Sequence, residues 1–180
     1  MENKELELLR YPIGKFTTPE TITENDLMNY ISDIERFPGD LRRIVTDLSP
    51  EQLDTQYRPK GWTVKQLIHH IADSHINAYL RFKLALTEDT PTIKPYFEDK
   101  WAELPDTAVT PVEVSLKIIE AIHTRWVNLL RAMDKKDFEK SFFHPEYGKE
   151  FSLEQAAAMY SWHGKHHFAH IKELKKRKGW

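Results

Sequence analysis

The sequence has no cysteine among its 180 residues. Disulfide bonds, thiolate metal ligands and a cysteine nucleophile are therefore all excluded. Long hydrophobic runs are also missing, because the longest unbroken apolar stretch, Ala156 to Tyr160, covers five residues, whereas a membrane-spanning helix needs about 20. Positive charge is not in excess, since 26 Lys and Arg residues oppose 28 Asp and Glu residues for a formal net charge of -2. We therefore expect no membrane and no nucleic acid among the partners of this chain.

The N-terminus lacks the features of a secretory signal. Residues 1–5 are polar and acidic, with no basic segment leading into an apolar one. We therefore expect the protein in the cytoplasm. Hydrophobic residues make up 40% and aromatic residues 12% of the chain, which is enough for a buried core and excludes wholesale disorder. At this length we predict a single domain over residues 1–180, with residues 1–22 as an N-terminal extension.

Helix-start signals recur four times along the chain. Thr63–Gln66 and Ser152–Gln155 are capping boxes, in which a threonine or serine precedes a glutamine by three residues. Thr110–Pro111 combines an N-cap residue with a proline at the first helical position, and Thr23 is a weaker start. Apolar residues continue at helical spacing after each signal. The pattern predicts four helices, near residues 23–48, 63–87, 110–133 and 152–177.

The predicted helices are long enough for a bundle. Helices of about 20–25 residues are about 30–37 Å long, which favours an all-α four-helix bundle. Pro38-Gly39 should kink or break the first helix, and Ser49–Gln52 should form a short extra helical turn. No convincing alternating pattern predicts a strand. The long loop over residues 88–109, between the second and third helices, contains the aromatic segment Tyr96–Trp101, so we expect an ordered cover over the bundle with an apolar wall.

The nine histidines are the compositional oddity of this chain. Seven of them form two clusters, whereas His123 and His144 stand alone. His166 lies at the edge of the apolar stripe of the last predicted helix, and we expect it and His123 to be surface or packing residues. The first cluster is His69, His70 and His75, and the second is His163, His166, His167 and His170.

The last predicted helix places histidines on the stripe that should face the core. His163 and His167 are four residues apart and therefore point to one side of the helix, with His170 on the same stripe. A single buried histidine is usually a neutral imidazole with a hydrogen-bond partner, but two buried imidazoles need two sets of partners. A shared metal ion satisfies both. The spacing therefore favours a metal site that faces the core.

A third ligand should come from the histidine cluster on the second predicted helix. A catalytic site of the zinc type has three protein ligands and an open position. Helical periodicity places His75 within the apolar stripe, His70 on its flank and His69 away from it. The residues alone therefore favour His75 as the third ligand, with His70 second.

Three long segments resemble the YfiT group of the DinB superfamily: Gly61–His75, Arg81–Glu88 and Ser161–Ile171. Tyr11–Gly14 and Phe143–Pro145 also fit, so the resemblance covers almost the whole chain. It implies a four-helix bundle, a homodimer and one divalent metal ion per chain. In that group the ligands are the second histidine of a His-His pair and two histidines spaced i, i+4 on the last helix. Carried over to this chain, these ligands are His70, His163 and His167.

The resemblance leaves alternatives open around this ligand set. His75 is the substitute for His70, because the periodicity favours it. His170, one turn beyond His167, could support the site or be a hydrogen-bonded core histidine. At Gly164-Lys165 the sequence departs from the histidine-rich form of the group, but neither position carries a ligand in the carried-over set.

Three neutral histidines leave a divalent ion with its full positive charge and an open position. Water bound there can reach a pKa of about 7, which favours hydrolysis of a small-molecule substrate. The resemblance permits both a metal-dependent hydrolase and a transferase that uses a low-molecular-weight thiol such as bacillithiol. No H-E-x-x-H glutamate is present as a general base, so Asp73 or bound water would serve, and a bundle that binds a metal or ligand without turnover remains an alternative. Zinc and nickel are the ions expected for an all-imidazole site, ahead of manganese and cobalt, because imidazole suits several metals.

Overall fold

Each long helix begins at or beside a residue that the sequence marks as a helix start. The structure, a computed structural model, describes residues 3–180. Thr23, Thr63 and Ser152 form complete capping boxes, whereas the third long helix begins after Pro111 without a side-chain cap. The helices are α1 (Asn3–Arg10), α2 (Glu24–Val45), α3 (Pro50–Leu53), α4 (Val64–Thr87), α5 (Glu98–Trp101), α6 (Pro105–Val109), α7 (Val112–Ala132), α8 (Lys135–Glu139) and α9 (Leu153–Lys178), and the strands are β1 (Ser141–His144) and β2 (Lys149–Ser152).

The four predicted helices are confirmed as α2, α4, α7 and α9, and with them the four-helix bundle. Their observed bounds differ from the predicted ones by at most three residues. α2 packs against α7 and α9, and α4 packs against the same two helices. The short helical turn predicted after Ser49 is α3. Within residues 3–180, the helices are all too short or too polar to cross a membrane.

A layer of histidines divides the hydrophobic core into two parts. One part is packed around Phe82 and Trp126, and the other around Leu41 and Leu67. Along three of the four long helices, the positions between these two parts are occupied by imidazoles. They are His75 on α4, His123 on α7, and His163 and His167 on α9. The polar groups of the bundle therefore meet at its middle, with apolar packing on either side.

α2 runs through Pro38 as one helix, so of the predicted kink or break, the break is wrong. Proline has no N–H to donate to the carbonyl four residues earlier, which here belongs to Ile34. That carbonyl instead accepts a hydrogen bond from His123 Nδ1 at 2.6 Å. A side chain of α7 therefore replaces the donor that the proline lacks.

The expectation of no strand is wrong for one short hairpin. β1 and β2 pair antiparallel, with Ser141 opposite Ser152 and His144 opposite Lys149. Each strand has four residues, which is too short for alternating hydrophobicity to stand out in the sequence. Ser152 both ends β2 and caps α9. The hairpin therefore leads directly into the helix that carries the second histidine cluster.

The long connection between α4 and α7 is ordered, as predicted, and contains α5 and α6. Ile93 donates its backbone N–H to the Phe143 carbonyl of β1 at 3.0 Å. Gln66 Nε2 of α4 donates to the Ala102 carbonyl, also at 3.0 Å. The connection is therefore tied to both the hairpin and the helix that carries the first histidine cluster.

Candidate metal centre

Three histidines from two helices converge at the middle of the bundle. His70 on α4, with His163 and His167 on α9, each offers one ring nitrogen, and these nitrogens lie within 4.8 Å of one another. His163 Nε2 and His167 Nε2 are 3.1 Å apart. The structure therefore brings together the three histidines that the family resemblance indicates. The flank position of His70 on its helix is sufficient for it to reach them.

Burial keeps these three imidazoles neutral. It lowers the pKa of His70 to about 4 and holds the pKa values of His163 and His167 well below the usual histidine range. A neutral imidazole has one ring nitrogen with a free lone pair, which is the form that binds metal ions. At neutral pH all three side chains are therefore in the form that a metal ligand requires.

The donor set fits a divalent ion. The distance of 3.1 Å between the two Nε2 atoms of His163 and His167 is close to the separation of about 3.3 Å expected for two nitrogens on one tetrahedral zinc ion. His167 Nδ1, the ring nitrogen on the other side, is buried without a hydrogen-bond partner in the described residues, so no hydrogen bond from these residues fixes the tautomer of this ring. Three uncharged nitrogen donors suit zinc and nickel.

His75 lies behind His163 rather than in the ligand group. Its Nε2 is 3.0 Å from His163 Nδ1, and its Nδ1 is 2.6 Å from His123 Nε2. Phe37 of α2 packs against both the His75 and His123 rings, with centroids 5.5 and 5.6 Å away. The periodicity correctly marks His75 as a core residue, but the core position places it against a candidate ligand. His123 is buried packing, as expected, and its contact with His75 was not predicted.

The remaining histidines of α9 form a second, weaker group. Ring nitrogens of His166, His167 and His170 also lie within 4.8 Å of one another. However, His170 Nε2 donates to the Arg10 carbonyl at 3.1 Å, so this side chain is a hydrogen-bonded core histidine. His166 is buried and stacks on Trp162 with ring centroids 4.4 Å apart, which makes it a packing residue rather than a surface one.

Asp73 does not orient a candidate ligand. Burial, followed by the nearby charge of Asp106, raises its pKa to about 6, and neither effect involves a hydrogen bond to an imidazole. It is also absent from the lining of the cavity described next. A general base among the described side chains is therefore not identified.

The three histidines open into a cavity of about 750 Å³, within the usual size range of small-molecule sites. Arg81 of α4 lines this cavity, and its Nη1 donates to Tyr160 Oη at 3.1 Å. His144 of β1 also lines it, with a buried Nδ1 that has no partner in the described residues.

Of the aromatic residues at 96–101, Tyr96 contributes to the wall of the cavity, whereas Phe97 is exposed. Sequence reasoning did not single out Arg81, Tyr160 and His144 as site residues. Helical spacing could have found two of them, because Tyr160 lies three residues before His163 and Arg81 lies eleven residues after His70.

The sequence is similar to that of a known superfamily and to those of two Bacillus proteins. The sequence profile of the DinB superfamily matches residues 33–171. One protein of Bacillus cereus and one of Bacillus thuringiensis subsp. konkukian are each 55% identical to the chain over 172 residues. These matches cover 96% of this chain and 98% of each relative, and both relatives are named as candidate metal-dependent hydrolases.

A solved structure has the same fold. YfiT from Bacillus subtilis is 44% identical in sequence and matches with a TM-score of 0.94, over 96% of this chain and 99% of that chain. It is described as "a probable metal-dependent hydrolase with an unusual four-helix bundle topology". The similarity therefore extends to the whole bundle.

Proposed function

The chain belongs to the DinB superfamily, and from this membership we propose that it is a metal-dependent hydrolase whose divalent ion is held by His70, His163 and His167. The observation that carries the proposal is the convergence of three neutral imidazoles on one cavity. We propose zinc or nickel as the ion, a small molecule as the substrate, and a homodimer in the cytoplasm as the working form.

The residues of the cavity have separate tasks in this proposal. The bound ion would lower the pKa of water and polarise a substrate oxygen. His75 Nε2 lies 3.0 Å from His163 Nδ1, and this hydrogen bond orients the His163 ring toward the cavity. Tyr160 and Arg81 form one wall and are linked by a hydrogen bond, so they can position a substrate rather than hold the ion.

Thiol transfer is the second candidate function. The chain has no cysteine, so a thiol nucleophile would have to come from a second small molecule. A cavity of about 750 Å³ has room for a substrate and a small thiol together, since ligand sites of about 300–1,000 Å³ accept drug-sized molecules. Hydrolysis remains the first proposal because water needs no second organic substrate.

Metal analysis of protein purified without nickel resin is the test. We expect about one divalent ion per chain, because the two groups of histidines share His167 and cannot both hold an ion. Thermal stability should rise on adding zinc or nickel to chelator-treated protein. Protein that contains no stoichiometric metal and gains no stability from either ion would contradict the proposal. Product formation that requires an added thiol would instead favour transfer over hydrolysis.

A further inference from the structure

Arg81 is a cation inside the cavity that forms no ion pair within residues 3–180, although Glu98, Asp99 and Glu146 also line this cavity. Its side chain is half-buried and lines the same cavity as the three histidines. The arginines that form ion pairs within residues 3–180 are Arg36, Arg42, Arg43 and Arg131. We propose that Arg81 is the binding subsite for an anionic group of the substrate, of the carboxylate class. This proposal rests on the proposed function, because it places that group beside the metal ion.

Tyr160 connects this subsite to the candidate ligands. Its ring packs against His75 and His163, with centroids 5.7 and 5.8 Å away. Its hydroxyl accepts the hydrogen bond from Arg81 Nη1 at 3.1 Å. One tyrosine side chain therefore separates the guanidinium from a candidate ligand. A small molecule can span this distance with its reacting group at the histidines and its anionic end at Arg81.

His144 brings a second polar group to the wall of the same cavity. Burial, and then the positive charge of Arg81, lower the pKa of His144, whereas the charge of Glu146 raises it. The His144 Nδ1 atom is buried and has no partner in residues 3–180. A neutral imidazole can donate one N–H. The cavity wall therefore contains an imidazole as well as the guanidinium, but the buried Nδ1 atom is not open to a ligand in this structure.

The chemistry of the guanidinium favours a carboxylate. Arginine has five N–H donors in a planar fork, and the one on Nη1 that reaches Tyr160 leaves the others available. This fork matches the two oxygens of a carboxylate, and such charged hydrogen bonds are among the strongest in proteins. A half-buried cation also loses part of its hydration, which an anionic ligand would replace.

Probe pairs that differ only in charge test the subsite. The monohydroxamates of succinic, glutaric and adipic acid carry a metal-binding hydroxamate and a free carboxylate, whereas their ω-amides are neutral. With zinc-loaded protein in a calorimeter, we expect at least one acid to bind about 10-fold more tightly than its amide. Arg81→Gln should abolish this preference. Arg81→Lys should keep part of it, because the charge remains.

Arg125→Gln is the matched control. Arg125 lies on α7 over the ring of Tyr79, 5.4 Å from its centroid, and does not line the cavity, so its removal should not change the preference. Zinc content is measured separately for every variant. If zinc-loaded wild-type protein binds acids and amides equally, or binds neither, the subsite is overturned while the metal centre stands. Failure to load zinc would overturn the metal centre and the subsite together.

The hydrogen bonds behind His163 carry a second, independent inference. The Ile34 carbonyl, His123, His75 and His163 form a continuous chain with successive distances of 2.6, 2.6 and 3.0 Å. We infer that His123 and His75 are positioning residues that fix the tautomer of His163. They do so from the side of the ring that faces away from the cavity.

The direction of the chain follows from its first member. A carbonyl can only accept, so His123 Nδ1 carries the proton and His123 Nε2 accepts. His75 Nδ1 therefore donates to His123, and His75 Nε2 accepts from His163 Nδ1. His163 is left with its lone pair on Nε2, the nitrogen that lies 3.1 Å from His167. Hydrogen bonds of this kind orient metal-binding histidines and raise their basicity.

Pro38 explains why this chain can start at a helix carbonyl. A carbonyl inside a helix normally accepts from the N–H four residues later. The residue four positions after Ile34 is Pro38, which has no N–H. The carbonyl is therefore available to His123 Nδ1. A proline that costs an isolated helix about 3 kcal/mol thus has a specific use at this position.

Two substitutions of His123 test whether this residue acts through its hydrogen bonds or only by filling space in the core. His123→Leu cannot donate to Ile34 or accept from His75, and we expect it to weaken zinc binding about 10–100-fold. His123→Gln keeps one amide donor and one amide acceptor, so it should retain affinity within a few-fold of wild type. His69→Leu is the matched control, since His69 is also buried but bonds to Ser115 Oγ at 2.7 Å, outside the cavity.

Ring nitrogen NMR reads the tautomer directly in unmodified, zinc-free protein. We expect Nδ1 of His163 to carry the proton, as it does in His75 and His123. A predominant Nε2-protonated form of His163 would overturn the inference. Equal zinc affinity in wild type and His123→Leu would overturn it as well, as would a loss in His123→Gln as large as that in the leucine variant.

Discussion

Replacing His167 by alanine is expected to abolish metal binding and turnover together while leaving the helical bundle folded. Two imidazoles cannot replace the three donors of a catalytic site of the zinc type, and His163→Ala should behave in the same way. The two apolar parts of the core lie on either side of the histidine layer and keep their packing. Metal content, turnover and thermal melts followed by circular dichroism measure the three effects.

His69→Ala is the matched control for these variants. His69 is buried on the same helix as His70, but its ring bonds to Ser115 Oγ and the Thr110 carbonyl instead of entering the cavity. We expect this variant to lose about 1–3 kcal/mol of stability, because a buried hydroxyl loses its partner, and to keep its metal. Loss of metal from both His69→Ala and His167→Ala would mean that the first result reflects general disruption.

The thermal melts also distinguish a catalytic metal ion from an ion that only stabilises the fold. If the ion holds the bundle together, its binding free energy is folding free energy, and a chelator should lower the melting temperature of the wild-type protein strongly. His167→Ala would then fail to fold. A melt that changes little while activity is lost supports catalysis, whereas a collapsed fold favours the structural alternative.

The sequence predicted the helices well because their signals are local. A capping box such as Thr63–Gln66 specifies a helix start with residues that contact one another directly. The β1–β2 hairpin escaped prediction because it depends on pairing between two four-residue segments. The continuation of α2 through Pro38 was not predicted, for a related reason. Its missing hydrogen bond is replaced by His123 from another helix, a contact that no window of sequence contains.

The sequence predicted which histidines lie near the site, but it predicted less well which of them would be ligands. The i, i+4 spacing of His163 and His167 is a local fact of one helix, and it placed both rings correctly on one side. The choice between His70 and His75 depends on how α4 is rotated against α9, which periodicity gives only coarsely. The residues alone favoured the more deeply buried His75. The packed structure uses that position to contact His163 from behind, and the resemblance, not the periodicity, indicated His70.

Gly164→Ala is expected to lower the free energy of unfolding by about 1–3 kcal/mol, as overpacking of a full core does. An added Cβ would lie 2.9 Å from Phe37 Cδ2 and 3.2 Å from Phe37 Cγ, closer than carbon atoms pack, so Phe37 must move. Phe37 packs on His75 and His123, so zinc affinity should fall along with stability. The departure from the histidine-rich family form at this position therefore lies where α9 packs directly against Phe37 of α2.

Gly39→Ala is the control that makes this prediction specific. Gly39 is also inside a helix, but a Cβ there would meet only the end of the flexible Arg43 side chain, at 3.9 Å. Alanine loses less backbone freedom on folding than glycine, so this variant should gain about 0.5–1 kcal/mol. Urea unfolding of both variants measures the difference. Changes of opposite sign in the free energy of unfolding support close packing of α9 on Phe37. A gain of stability in Gly164→Ala would instead show that α2 and α9 have space for an added methyl group. Phe37 would then not be packed tightly against His75 and His123.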